Sequence, residues 1–219
     1  MSWWVPLFHV LYCFLLNGRN STDSETLNSY ELGYRQKVNE SLTFDLALFY
    51  NSYSDLIAFS GSPNAVSGNF GSGNSYGLEF STKFDLSSKW RVSANYTFVK
   101  DDVDFGDRPG ILYNPSRPFI LYDEKGTATH NIFIHSNYRI TENIDFDITA
   151  RYLDQFDVPT LVPYTIQSYI DLGARIAWRP TDNIELSLIG KNLLTPHNQQ
   201  GSRVTEVPRS FLFLLTYSF

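Results

Sequence analysis

From residue 20 onward the chain alternates between apolar and polar positions with a period of two, the side-chain repeat of a β-strand. Tyr30, Leu32 and Tyr34 alternate with Glu31, Gly33 and Arg35. Leu42, Phe44, Leu46, Leu48 and Tyr50 repeat the pattern, as do Tyr76, Leu78, Phe80 and Phe84. Further runs follow at 90–98, 132–138, 144–152, 170–178 and 184–188, and a last one at 211–219. The pattern predicts nine strands, most of them longer than the ~5–6 residues usual in globular sheets. Residues 55–60 (DLIAFS) offer a tenth, better placed as an outward continuation of the strand at 42–52. No segment carries a convincing helical repeat.

Alternation alone leaves two architectures open. A soluble sandwich or small barrel turns the apolar face inward, and a membrane barrel turns it toward lipid. Three features favour the membrane barrel. The strands approach the ~9–11 tilted residues that cross a bilayer. Aromatic residues sit toward strand ends (Tyr50, Trp90, Phe98, Tyr138, Tyr152, Trp178), as in interfacial girdles. The connections also alternate: 37–41, 86–89, 140–143 and 179–183 are tight, whereas 51–75, 99–128, 153–163 and 192–208 are long and rich in Gly, Pro, Asn and Asp. Short turns on the periplasmic side make both the first and the last strand run downward, with residues 20–28 external. Nine is odd, whereas single-chain bacterial barrels have even strand numbers, so the expectation is a chain that begins within a barrel.

Composition fits this picture. Aromatic residues make up 16% of the 219 and charged residues 18%, yet mean hydropathy is -0.23. The polarity comes from uncharged residues, with 23 Ser and 16 Asn. So aromatic a chain is not intrinsically disordered. One cysteine, Cys13, excludes a disulfide scaffold, and a net charge of -6 speaks against nucleic acid. Residues 1–18 differ from the rest: they are apolar and uncharged, with Pro6 interrupting them and no basic n-region or A-x-A site. They divide the chain into an atypical leader, 1–18, and a barrel portion, 19–219.

Several stretches in order carry a resemblance. NSYELGYR at 28–35, LALFYN at 46–51 with DLI at 55–57, and YGLE at 76–79 come first. WRP at 178–180, NIELS at 183–187, GKNLL at 190–194 and PH at 196–197 follow, then EVPRS at 206–210 running to Phe219. Together they resemble the C-terminal barrel of TonB-dependent outer-membrane receptors. The resemblance implies an all-β, antiparallel transmembrane barrel segment of nine to ten strands, part of a 22-stranded barrel in the outer membrane of a Gram-negative bacterium. It implies uptake of a ferric siderophore or similar scarce ligand, driven through the TonB complex. The family's plug and TonB box have no counterpart in the sequence, so the expectation is a barrel inactive by itself. The alternative is a self-contained small barrel acting as a passive pore or structural protein. Implied partners are outer-membrane lipid, the barrel-assembly machinery, a small ligand such as an iron complex, and TonB through the absent plug.

Candidate residues fall in three groups. Phe219, with Tyr217, Leu215, Phe213 and Phe211 in phase, matches the terminal signal read by the assembly machinery. Arg35, Glu79, Arg91, Arg139, Asp147, Arg151, Asp171, Arg175 and Glu185 fall on the polar face and would line the lumen, as would Asp45, Lys83, Asp145 and Lys191. Asp101, Asp102, Asp104, Asp107, Arg108 and Arg117 form a candidate external ligand loop, with no EF-hand spacing. His130 and His135 have odd separation and should point apart, and Ser136 lies on the face opposite His135. No nucleophile–base constellation, metal set or cofactor motif is legible, so no catalytic residue and no cofactor is expected.

Overall fold

The computed structural model describes residues 22–60, 66–104, 111–114, 117–120, 127–158, 164–199 and 206–219. These contain strands and no helix. The chain opens with β1 (Thr26–Lys37), β2 (Leu42–Ser60), β3 (Val66–Ser87) and β4 (Trp90–Asp104). A short pair, β5 (Ile111–Asn114) and β6 (Arg117–Ile120), precedes β7 (His130–Thr141) and β8 (Ile144–Leu153). Another pair, β9 (Phe156–Val158) and β10 (Tyr164–Ile166), leads to β11 (Tyr169–Thr181) and β12 (Ile184–Lys191). A third, β13 (His197–Gln199) and β14 (Glu206–Pro208), precedes β15 (Ser210–Tyr217).

The nine long strands form one antiparallel sheet in the order β1-β2-β3-β4-β7-β8-β11-β12-β15. The three short pairs are separate ribbons within the long connections, an elaboration that alternation did not predict. Residues 55–60 continue β2, as expected, rather than forming a strand of their own. The continuation passes two opposed irregularities. Tyr53 pairs with Gly73, but Leu56 pairs with Gly71 and Ile57 with Asn69. One extra residue on β2 is thus answered by one on β3, and the original facing is restored. Asp55 sits in the first irregularity at φ 60°. Glu25 Oε1 accepts the Ile57 N–H there at 2.8 Å, and Asn69 Nδ2 donates to the Asp55 carbonyl at 2.6 Å.

The short turns share one construction. β3, β7 and β11 each slip register just before the turn, between Asp85 and Ser87, Arg139 and Thr141, and Trp178 and Thr181. Neighbouring turns are then tied together: the carbonyls of Ser41, Lys89, Asn143 and Asn183 accept from the N–H groups of Asp85, Arg139, Arg179 and Ser218 at 2.7–2.9 Å.

The sheet has almost no core of its own. Among the described residues Ile166 and Ala177 are the buried apolar side chains. The even-numbered face (Leu32, Leu48, Ile134, Ile148, Ile176, Leu188) stands exposed, and none of the described residues covers it. A sandwich would bury that face, whereas a lipid-facing wall leaves it bare. Aromatic residues bound it at two levels. Tyr30, Tyr50 and Tyr76 fall in one row. Near the short turns Trp90 donates Nε1–H to Ser136 Oγ at 2.9 Å and packs edge-on against Tyr138. Tyr50 was expected near a strand end. It lies mid-strand instead, because β2 and β3 run on past the apolar band. Among the described residues, β1 pairs only with β2 and β15 only with β12, so the sheet is open at both edges.

Candidate functional site

The odd-numbered face carries the charges. At its centre seven side chains on four adjacent strands form one chain, six of them in alternating ion pairs and His135 hydrogen-bonded at its end. Arg139 approaches Asp145 at 3.8 Å, Asp145 meets Arg179 at 2.6 Å, and Arg179 reaches Glu185 at 3.3 Å. Glu185 pairs with Arg175 at 2.5 Å, Arg175 with Asp147 at 2.9 Å, and Asp147 with His135 at 2.9 Å. Asn137 Nδ2 donates to Asp147 and Ser187 Oγ to Glu185. Cross-strand register brings these groups together, since Asn137 faces Asp147, which faces Arg175. Asp147 and Glu185 each accept from three donors, and Asp145 accepts from Arg179 with Arg139 close by, which offsets the desolvation of half-buried charge.

Of the predicted lumen residues, Arg139, Asp147, Arg175 and Glu185 belong to this chain. Arg35 and Arg91 form separate pairs with Asp45 and Asp85. Arg151 donates to Asn131 Oδ1 at 3.2 Å. Glu79 lines a hollow of about 480 Å³ together with Gly33 and Ala47. Asp171 keeps one buried oxygen, Oδ1, with no hydrogen-bond partner among the described residues. Two members of the chain were missed. Arg179 lies in the stretch expected to be a turn, but β11 continues to Thr181. His135 stands outside the candidate groups, although its parity matches that of Asn137. The expectation that His130 and His135 diverge holds: His130 stacks on Tyr96 on the other face, its Nδ1 2.9 Å from the Tyr96 hydroxyl.

The acidic loop is placed differently from its sequence reading. Asp101, Asp102 and Asp104 lie on the upper end of β4, paired across from Ser75, Asn74 and Ser72. The long β3 supplies hydrogen-bonding partners that far up, and alternation turns Asp101 and Asp102 to opposite faces. Asp101 opens onto a cleft of about 590 Å³ that Asp154 and Asp157 also line. Arg117 begins β6. Asp107, Arg108 and residues 1–18 lie outside the described residues. At the other edge Phe211, Phe213, Leu215 and Tyr217 share one face of β15, and Tyr217 packs against Phe219 at 5.8 Å.

A long, consecutively paired antiparallel sheet, bare and apolar outside, charged inside, with short turns at one end, is the wall of a transmembrane β-barrel. The family model for the TonB dependent receptor-like beta-barrel matches residues 9–193, and the chain belongs to that family. Its members are receptors and transporters of the Gram-negative outer membrane rather than enzymes. Solved structures agree on the fold. The ferric-catecholate import receptor Fiu from E. coli K12 superposes at TM-score 0.72 with 20% identity, over 94% of this chain and 30% of that one. The FrpB iron transporter from Neisseria meningitidis gives 0.70 and 13%, over 93% and 33%. The siderophore receptor PirA from Acinetobacter baumannii gives 0.67 and 18%, over 89% and 32%. The chain therefore spans about a third of the length of these receptors. No curated protein matches its sequence.

Proposed function

We propose that this chain supplies barrel wall to an outer-membrane receptor that imports a scarce ligand of the ferric-siderophore type. The observation that carries the reading is the pairing of faces: an apolar face that none of the described residues covers, back to back with an ion-paired polar one. Lipid satisfies the first and a solvated lumen the second. The relatives at the level of fold import iron or bind siderophores by their printed descriptions, which supports the ligand class. In this reading TonB acts through a plug and TonB box held within the assembled receptor. The assembly machinery reads Phe219 with Tyr217, Leu215, Phe213 and Phe211. Ligand is met first at the external end, by Asp101, Asp102, Asp104, Asp107, Arg108 and Arg117, and then by the lumenal side chains.

Among the described strands, the passive-pore reading requires β1 and β15 to meet. Nine consecutive antiparallel strands leave those two running the same way, so their union would be a parallel pair in an otherwise antiparallel wall. Closure with antiparallel pairs takes an odd number of further strands, which favours a larger barrel.

The test is expression of the chain in a Gram-negative host, followed by outer-membrane isolation, protease protection of the sheet and binding of radio-iron catecholate. Protection with saturable binding supports the reading. Recovery of the chain in the soluble fraction sinks it. Deleting Phe219 should lower the protected fraction severalfold if the terminal signal acts as proposed.

A further inference from the structure

The four short turns differ in charge. Three carry a carboxylate: Glu40 between β1 and β2, Glu142 between β7 and β8, and Asp182 between β11 and β12. The turn between β3 and β4 carries Lys89 instead. Beside it lies a small hollow of about 100 Å³, lined by Ser87, Ser88, Lys89, Arg91, Asn137 and Arg139, with Asp85 and Trp90 completing the wall. The hollow straddles the rim of the sheet. The register slip sets Ser87 opposite Trp90 of the apolar face, while Asp85 stays opposite Arg91 of the polar face. Trp90 and its edge-on partner Tyr138 mark the level of the membrane interface. The hollow is therefore open both to the lumen and to the headgroup region.

Its polar groups are donors that the fold leaves partly unused. Ser87 Oγ accepts the Lys89 N–H at 3.2 Å, so the hydroxyl proton is left to donate. The Lys89 carbonyl accepts the Arg139 N–H at 2.7 Å, which draws β7 against the turn and sets Arg139 beside Lys89. Arg139 is the loose end of the ion-paired chain. It stands 3.8 Å from Asp145 and is 55% exposed, and Arg179 already holds Asp145 at 2.6 Å. Among the described residues Lys89 has no ion-pair partner. The one carboxylate on the wall is occupied: Arg91 covers both oxygens of Asp85, Nε to Oδ1 at 2.5 Å and Nη2 to Oδ2 at 3.1 Å. Three cations against one acid leave the lining residues a net charge of +2.

We propose that the β3–β4 turn is a binding site for a single phosphate group, held by Lys89 and Arg139 with the Ser87 and Ser88 hydroxyls as further donors. The two cations supply charge-assisted hydrogen bonds, and the hydroxyls meet the remaining oxygens of a tetrahedral anion. The hollow has room for one such group and not for an extended ligand. The phosphate is carried by a lipid headgroup of the periplasmic leaflet or arrives free from the periplasm, and the chemistry of capture is the same for both. The three acidic turns repel it. This site goes beyond the import reading and takes from it only that the short turns face the periplasm.

The test is equilibrium dialysis of the full chain, folded in micelles of an uncharged, phosphate-free detergent, with empty micelles as the blank. One arm uses radiolabelled inorganic phosphate and the other radiolabelled short-chain phosphatidylglycerol. Wild type should bind saturably in at least one arm, and more weakly as salt rises. Tighter binding of the lipid assigns the site to a headgroup, and equal or tighter binding of inorganic phosphate assigns it to a free anion. Lys89→Gln should weaken binding about tenfold, and Lys89→Arg should restore it. Lys37→Gln removes the same charge at the same end of the sheet, beside the acidic Glu40 turn, and should bind as wild type does. Folding of each variant is judged by its heat-dependent gel shift. Should Lys89→Gln not fold, Ser88→Ala takes its place and should weaken binding severalfold. Absence of saturable binding in both arms by folded wild type, or an equal loss in Lys37→Gln, overturns the proposal. Neither arm contains an iron complex, so failure here is distinct from failure of the import reading.

Discussion

Two glycines on the inner face show how position decides what a residue does. Gly77 lies beneath the Phe49 ring, and a Cβ there would stand 2.7 Å from Phe49 Cζ and 2.1 Å from the Phe98 carbonyl oxygen. A backbone atom cannot swing aside as a side-chain tip can. Gly33, by contrast, has open space where its Cβ would go. Gly77→Ala should therefore lower stability by about 1–3 kcal/mol through overpacking. Gly33→Ala should be neutral or slightly stabilising, because it removes freedom from the unfolded chain. Denaturant titration of the two variants in micelles separates the cases, and equal midpoints would refute the packing argument. The same scale applies to Trp90, whose indole N–H is held by Ser136. Trp90→Phe keeps the ring at the interface and loses one hydrogen bond, an expected cost of about 0.5–1.5 kcal/mol, which the same titration measures.

At the scale of elements, the ion-paired chain across β7, β8, β11 and β12 contrasts with the isolated pair on β1 and β2. Asp147 is 13% exposed and receives His135, Asn137 and Arg175, whereas Arg35 is 84% exposed. Asp147→Ala should cost about 1–3 kcal/mol, since it strands three donors in one step. Arg35→Ala should leave the unfolding midpoint unchanged, as exposed pairs usually do. A comparable loss in both would mean that the sheet is not organised by the central chain. This contrast was only partly legible in the sequence. Alternation identified the nine strands and the charged face because one face must be uniformly apolar to meet lipid, a constraint written at every second residue. It foresaw the outward continuation of β2 but missed the upper half of β3, where residues such as Gly68, Gly71 and Gly73 carry no alternation and backbone pairing holds the ribbon. It also missed Arg179, because the slip before Thr181 lengthens β11 beyond its pattern. The meeting of Arg139, Arg175 and Glu185 depends on cross-strand register through Asp145 and Asp147, and alternation within one strand carries no register information.

For the whole molecule, the decisive question is which solvent each face meets, and Ile148 and Thr149 on β8 put it to adjacent residues. Ile148 lies in the bare apolar band, flanked by Ser136 on β7 and Ala174 on β11. Thr149 lies on the polar face, between His135 and Gly173. In a sheet wetted on both sides, a lysine at either position would be nearly harmless, because both side chains would reach water. In a bilayer the two differ sharply. Ile148→Lys places an ammonium near the middle of the hydrocarbon, at an expected cost of about 2–4 kcal/mol, while the lumen tolerates charge. Thr149→Lys keeps its head in water and adds a cation beside Asp147 and Asp171, so it should cost far less even against its close neighbour Gly173. The measurement is the fraction of each variant that folds into vesicles of defined lipid, read by protease protection. A strong loss for Ile148→Lys alone is the outcome a lipid-facing wall requires. Equal folding of the two variants would remove the membrane from the account, and with it the lumen on which the import reading depends.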